Sequence, residues 1–152
     1  MKKVLSLDLA TTTGWAYNKP SINGGVWDLK PKRGSSEGMK LIKLRAFLED
    51  FNNQVSGLDM IVYEKPAGRF INGVISVAEL VAVVKVFCED KKIEYTSYRP
   101  TEIKKAMTGK GTSNKEVMFN EAEKRWSHIH IIDHNMADSM LMLEHTLKDL
   151  GL

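Results

Sequence analysis

Lys3-Val4-Leu5-Ser6-Leu7-Asp8-Leu9, followed by Ala10-Thr11-Thr12-Thr13-Gly14-Trp15, is the stretch on which the reading of the fold turns. Mostly apolar, β-capable residues lead to one carboxylate, Asp8. A hydroxyl-rich turn then leads into a second strand-like run at Gly14. An acid at the end of a buried strand is costly to ionise unless something pairs with it, and a divalent metal favours the ionised form. Two further acids stand in similar settings. Glu64 ends Met60-Ile61-Val62-Tyr63, and Asp138 lies in Asp133-His134-Asn135-Met136-Ala137-Asp138-Ser139. The three are read as one site for Mg²⁺ or Mn²⁺, because oxygen ligands suit these ions and not zinc.

Outward from that stretch, Lys3 to Leu9, Gly14 to Asn18 and Gly25 to Leu29 read as three strands, with turns at Lys19-Pro20-Ser21 and Asn23-Gly24. Short turns imply an antiparallel meander. Lys30-Pro31-Lys32-Arg33-Gly34-Ser35-Ser36 reads as an exposed basic loop. Glu37 to Gln54 has helical spacing, with Ser36 as its expected cap. Leu58 to Tyr63 is a fourth strand, parallel to its partner because a helix intervenes. After the loop Glu64 to Phe70, a helix from about Val74 to Asp90 is apolar nearly all round, which predicts burial on all sides. Val77, Val81 and Val84 form one of its stripes; Ile75, Leu80, Val83 and Phe87 form others. One sheet face cannot cover them all, so the sequence predicts a homodimer through this helix. Ile93 to Tyr98 is a fifth strand. A short helix carrying Lys104 and Lys105, a glycine-rich loop Thr108 to Ser113, and helices Asn114 to Trp126 and Asn135 to Leu150 complete the chain. The predicted class is α/β, a mixed five-stranded sheet in the order βββαβαβαα, as one domain over residues 1–152.

Composition bounds the possibilities. A hydrophobic fraction of 43% and a charged fraction of 27% are ordinary for a globular protein. The net charge of +3 is compatible with nucleic acid and does not require it. A single cysteine, Cys88, excludes an internal disulfide framework and a cysteine-rich zinc site. The start runs directly into a core strand without a signal peptide, and no membrane span is expected. The expected location is the cytoplasm.

Acids grouped around two metals suit phosphodiester cleavage. Each acid also has a plain structural alternative: Asp8 as an Asx-type turn, Glu64 as a solvated loop acid, Asp138 as part of a solvated helix face. Lys104, Lys105, Lys110 and Lys115 bracket the glycine loop, where cations and backbone amides can meet phosphate. The loop is not a nucleotide-binding P-loop, because Gly111 stands where Ser or Thr is required. Arg69 and Phe70 follow Glu64, and an aromatic there could stack on an unpaired base at a branch point or fold into the core.

Asp8 in Leu7-Asp8-Leu9-Ala10-Thr11-Thr12-Thr13-Gly14-Trp15, Glu64 after the fourth strand, and Asn-x-Ala-Asp opening the last helix resemble the RuvC family of Holliday-junction resolvases, of the RNase H-like superfamily. The pattern looks most like that of its bacteriophage and prophage members, for which the location would be the bacterial host's cytoplasm. The resemblance spans about Lys3 to Leu147. It implies an endonuclease for four-way and related branched DNA, two Mg²⁺ or Mn²⁺ ions per site, and contacts from Lys104 and Lys115 to DNA phosphate. It implies the base-stacking role for the aromatic, Phe70. Many members carry an acid or histidine where Asn135 stands. Phage relatives often read Asp-x-Asn-x-Ala-Asp, which implies Asp133 as the fourth acid; an N-cap is its structural alternative. His134, one helical turn before Asp138, could face the same site.

Three other functions compete. An RNase H-like nuclease for structured RNA or RNA–DNA hybrid would share the metal site. A sugar-kinase or actin-like lobe begins similarly but needs a second lobe. A non-catalytic DNA-binding module would have no use for Asp8, Glu64 and Asp138.

Overall fold

The computed structural model describes all 152 residues. The chain runs β1 (Val4–Asp8), β2 (Thr12–Tyr17), β3 (Asn23–Asp28), α1 (Gly38–Gln54), β4 (Met60–Glu64), α2 (Ile71–Lys91), β5 (Glu94–Tyr98), α3 (Pro100–Thr108), α4 (Lys115–Arg125) and α5 (His134–Asp149). The strands form one sheet in the order β3-β2-β1-β4-β5. The β1–β2 and β2–β3 pairs are antiparallel, and the β1–β4 and β4–β5 pairs are parallel, as the meander and the helix-linked strands predict. The short helix expected around Lys104 and Lys105 is Pro100–Thr108, which the order βββαβαβαα leaves out, so three helices follow β5.

Strand alternation sorts side chains between two cores. Leu5, Leu7, Ile61 and Tyr63 meet Leu44 and Leu48 of α1 and Leu80, Val84 and Phe87 of α2. Val4, Ala16, Met60 and Val62 meet Met136, Ala137, Met140 and Leu141 of α5, with Met118 and Ala122 of α4 behind. Burying each large side chain contributes about 2 kcal/mol, so the sheet is clamped from both faces. The same alternation continues the rows Val4-Ser6 and Met60-Val62 to Asp8 and Glu64. Both acids therefore face the α5 side.

Several expectations change. Asn23 and Gly24 belong to β3, not to a turn. A Cβ at Gly25 would lie 2.9 Å from the Trp15 ring, and one at Gly24 would lie 2.5 Å from the Trp15 carbonyl oxygen, so these glycines make room for Trp15. The N-cap of α1 is Glu37, without a side-chain bond; Ser36 contributes its backbone carbonyl, which accepts from the Met39 amide at 3.1 Å. The helix expected from Val74 begins at Ile71, and it is not buried on all sides. Its inner face, Leu80, Val81, Val84, Phe87 and Cys88, is buried in this chain's own core. Its outer stripe, Ile71, Ile75, Ala78, Ala82 and Val86, is exposed. By length and composition α2 could cross a membrane, with a mean hydropathy of 1.9 over eighteen residues. That corrects the expectation that no segment qualifies; the reason is that Glu79 and Lys85 are the only charged residues before the last turn.

Candidate metal centre and nucleic-acid interface

β1 and β4 run side by side with Leu7 opposite Tyr63, so Asp8 and Glu64 stand next to each other one residue further on. A cleft of about 150 Å³ opens there, lined by both acids, Leu9, Lys65, Pro66 and Pro100. Asp138, on α5 one turn beyond that helix's N-terminus, does not line the cleft but stands close enough to both acids for its charge to act on them. All three carboxylates are half-buried. Burial lifts Asp8 well above the ordinary carboxylate range; Glu64 and then Asp138 push it further, Lys115 opposes, and Asp133 adds to the rise. Glu64 is pushed up to about 7 by burial and then by Asp138, against Lys104. Asp138 is pushed up to about 6 by burial, with His134, Lys104 and Lys115 opposing and Asp133 reinforcing.

Asp133 takes the cap position and stands near the other acids. It is the N-cap of α5, accepting from the Met136 amide at 2.9 Å, and its charge is felt by Asp8 and Asp138. Asn135 is committed elsewhere. Its Nδ2 donates to the Thr12 carbonyl at 2.7 Å, and its backbone carbonyl presses on Gly14. The first turn of α5 is thereby clasped to β2. Sequence reasoning missed this clasp; its one visible signal was a glycine inside a strand. His134 lies near Asp138 and packs on Phe119 with ring centroids 5.2 Å apart.

Of the cations, Lys104 on α3 and Lys115 at the start of α4 act on the acids. Asn114 caps α4 by accepting from the Val117 amide at 2.9 Å, which fixes where Lys115 stands. Gly109 ends α3 at φ +85°, a left-handed conformation that favours glycine. Lys105 and Lys110 are exposed around that loop and do not act on the acids. Arg69 and Phe70 are exposed on the loop leaving Glu64; Phe70 is 81% exposed, which removes the core-anchor alternative.

The donor set fits divalent cations. Four acids converge, all offering oxygen, and none is in an ion pair, although seven ion pairs form elsewhere. Their negative charge is therefore uncompensated at close range. The side chains are not drawn into a closed ligand shell; they stand as neighbours, with Asp138 raising the pKa of Glu64, Asp133 that of Asp138, and all three that of Asp8. A stability prediction follows. Unfolded Glu64 and Asp138 would titrate at ordinary values, so between about pH 4 and 7 the metal-free folded state holds more protons than the unfolded one. The stability present below about pH 4 is lost progressively as pH rises from there through 6 to 7, by roughly 3 kcal/mol for either acid taken alone. In EDTA, calorimetry should show Tm falling from about pH 5 to pH 8, and saturating Mn²⁺ should restore it. A flat or rising Tm in EDTA would contradict the uncompensated charge.

The sheet order and the helices on both faces define an RNase H-like fold, with the acids at the sheet's edge. A family model described as crossover junction endodeoxyribonuclease RuvC matches residues 30–137. The chain belongs to the RuvC family of crossover junction endodeoxyribonucleases, enzymes that resolve Holliday junctions. The matched span covers Glu64 and Asp133 and leaves out Asp8 and Asp138. The fold is similar to that of Thermus thermophilus RuvC, at 14% identity and TM-score 0.72 over 98% of this chain and 96% of that one. It is similar to T. thermophilus RuvC in complex with Holliday junction substrate, at 16% identity and TM-score 0.75 over 99% and 97% of the two chains. It is also similar to the yeast mitochondrial Holliday junction resolvase Ydc2, at 17% identity and TM-score 0.55 over 99% and 86%. No curated protein sequence matches this chain.

Proposed function

We propose that this chain, as a single domain over residues 1–152, cuts four-way and related branched DNA with two Mg²⁺ or Mn²⁺ ions held by Asp8, Glu64, Asp138 and Asp133. The observation that carries the reading is the convergence of three half-buried, unpaired carboxylates from β1, β4 and α5. When bound, the ions supply a readied water and stabilise the leaving oxygen. Asp8 is the acid on which the charges of Glu64, Asp138 and Asp133 all bear. Lys104 and Lys115 hold DNA phosphate beside the acids, with Lys105 and Lys110 extending the basic surface. Phe70, exposed on the loop from Glu64, stacks on a base freed at the branch point, and Arg69 holds the adjoining backbone.

The test uses labelled four-way junction, flap, linear duplex and RNA–DNA hybrid, each with Mg²⁺, Mn²⁺ or EDTA. Metal-dependent cutting of the junction in preference to the duplex and the hybrid is expected. Preference for the hybrid would select the RNA-directed alternative, and junction binding without cutting would select the non-catalytic one.

Cutting opposed strands calls for two sites, which a two-fold dimer supplies. The outer stripe of α2 and the neighbouring face of α1 form an apolar groove of about 430 Å³, lined by Leu41, Ile42, Ala82, Val83 and Val86. A second copy of the chain covers it in this proposal. Val81 and Leu80, which the stripe analysis left as candidates for the contact, are internal and cannot serve. Ile75 is 50% exposed, so Ile75→Glu should fold normally and sediment as a monomer, where wild type sediments as a dimer at tens of micromolar. Wild type sedimenting as a monomer would contradict the dimer.

A further inference from the structure

β3 runs antiparallel to β2, and β2 antiparallel to β1, so β3 runs with β1, β4 and β5. Four of the five strands therefore end at one edge of the sheet. Asp8 and Glu64 occupy the middle of that edge. On one side, β5 leads into α3 and the lysines already described. On the other, β3 leads into Lys30-Pro31-Lys32-Arg33. Residues 28–43 hold five basic and two acidic residues, and residues 99–115 hold five basic and one acidic. The two segments carry +3 and +4 against the whole chain's +3, so the remainder of the chain, the four acids included, is net −4. Positive charge is thus concentrated on the two flanks of the acids.

The loop is braced in place. The Leu29 amide donates to the carbonyl of Thr11, in the turn after Asp8, at 2.8 Å, and the Lys30 amide donates to Asp28 Oδ1 at 2.9 Å. Lys43 Nζ donates to the Lys30 carbonyl at 2.6 Å, and the Ser35 amide donates to the Lys32 carbonyl at 2.9 Å. Lys40 is occupied by the Ser76 hydroxyl at 2.7 Å. The side chains of Lys30, Lys32 and Arg33 are exposed, and no carboxylate pairs with them. Three like charges on a fixed turn repel one another, a cost that an external polyanion removes. Fixing the turn beforehand lowers the ordering cost of binding one. Two strand spacings separate β3 from β1, about 10 Å, or roughly three phosphates along one DNA strand.

We propose that Lys30, Lys32 and Arg33 form a second phosphate-binding surface for the DNA substrate, on the opposite flank of the acids from Lys104 and Lys115. This rests on the proposed function, since it takes branched DNA as the ligand. The test is fluorescence anisotropy of a labelled synthetic four-way junction, with Ca²⁺ in place of Mg²⁺, between about 50 and 200 mM salt. Lys32→Ala/Arg33→Ala should bind about 10-fold or more weakly, with a salt slope shallower by about two. Lys32→Gln alone should make the slope shallower by about one. The exchange Lys32→Arg/Arg33→Lys should keep the wild-type slope. Wild-type slopes in both neutral variants, beside a shallower slope in Lys104→Ala or Lys115→Ala, would overturn this proposal and leave the proposed function standing. Wild type with no affinity for the junction would overturn both.

Discussion

Asp8→Asn should cut a four-way junction at least about 10³-fold more slowly than wild type, comparable to the largest losses from removing one preorganised stabilising group, and should bind it with unchanged affinity in Ca²⁺. Asp8 is the acid on which Glu64, Asp138 and Asp133 all act. Asparagine keeps the shape and removes the charge that a metal would share among the four. The change should also do no harm to the fold, because Asp8 is in no ion pair and its burial penalises the charged form. In EDTA near pH 8, Asp8→Asn should therefore melt at or above the wild-type temperature. Glu64→Gln and Asp138→Asn should follow the same pattern. Loss of binding or of Tm together with loss of cutting would make Asp8 a structural residue.

Gly14→Ala should damage both stability and activity from a position that carries no chemistry. A Cβ at residue 14 would lie 2.0 Å from the Asn135 carbonyl oxygen, 2.1 Å from its carbon and 2.6 Å from the Met136 amide nitrogen. All three are backbone atoms, so no side chain can turn aside. The first turn of α5 must move off β2, which breaks the Asn135–Thr12 bond and shifts Asp133 and Asp138 relative to Asp8. Overpacking of this severity costs about 3 kcal/mol or more, or a fall in Tm of roughly 10 °C for a chain of this size. Displacing ligands by about 1 Å costs roughly 10²-fold in rate, measured on the folded fraction. Asn135→Ala removes one hydrogen bond and should cost about 1 kcal/mol, with a smaller loss of rate. Gly14→Ala with wild-type Tm and rate would show that the clasp does not position the acids.

These two variants separate what the sequence exposes from what it hides. Asp8 and Glu64 end apolar runs, and a carboxylate there is visible because burial of charge is costly. The meander and the parallel strands followed from turn chemistry and from the intervening helix. The close approach at Gly14 was invisible, because one glycine in a strand does not say which backbone presses on it. Gly24 misled for the same reason: glycine marks a turn or a neighbour, and here the neighbour is Trp15. Asp133 was legible as cap or acid but not as both, since its two oxygens can serve different partners. The apolar circumference of α2 was legible, whereas its inward face was not. Only the packing of α1 beside it shows that Leu80 and Val84 point in and Ile75 points out. The basic loop after β3 read as solvated surface because strand direction, and hence its place beside the acids, is a property of the sheet.

In the proposed function, Asp8, Glu64, Asp138 and Asp133 hold the ions with which the chain cuts DNA. Crystals grown with Mn²⁺ and measured for anomalous scattering test it most directly. Manganese signal in contact with Asp8 and Glu64 at the end of β1 and β4, reached from α5 by Asp138, and absent from crystals of Asp8→Asn, is the result expected. Manganese bound elsewhere on the protein, or signal that persists unchanged in Asp8→Asn, would contradict it.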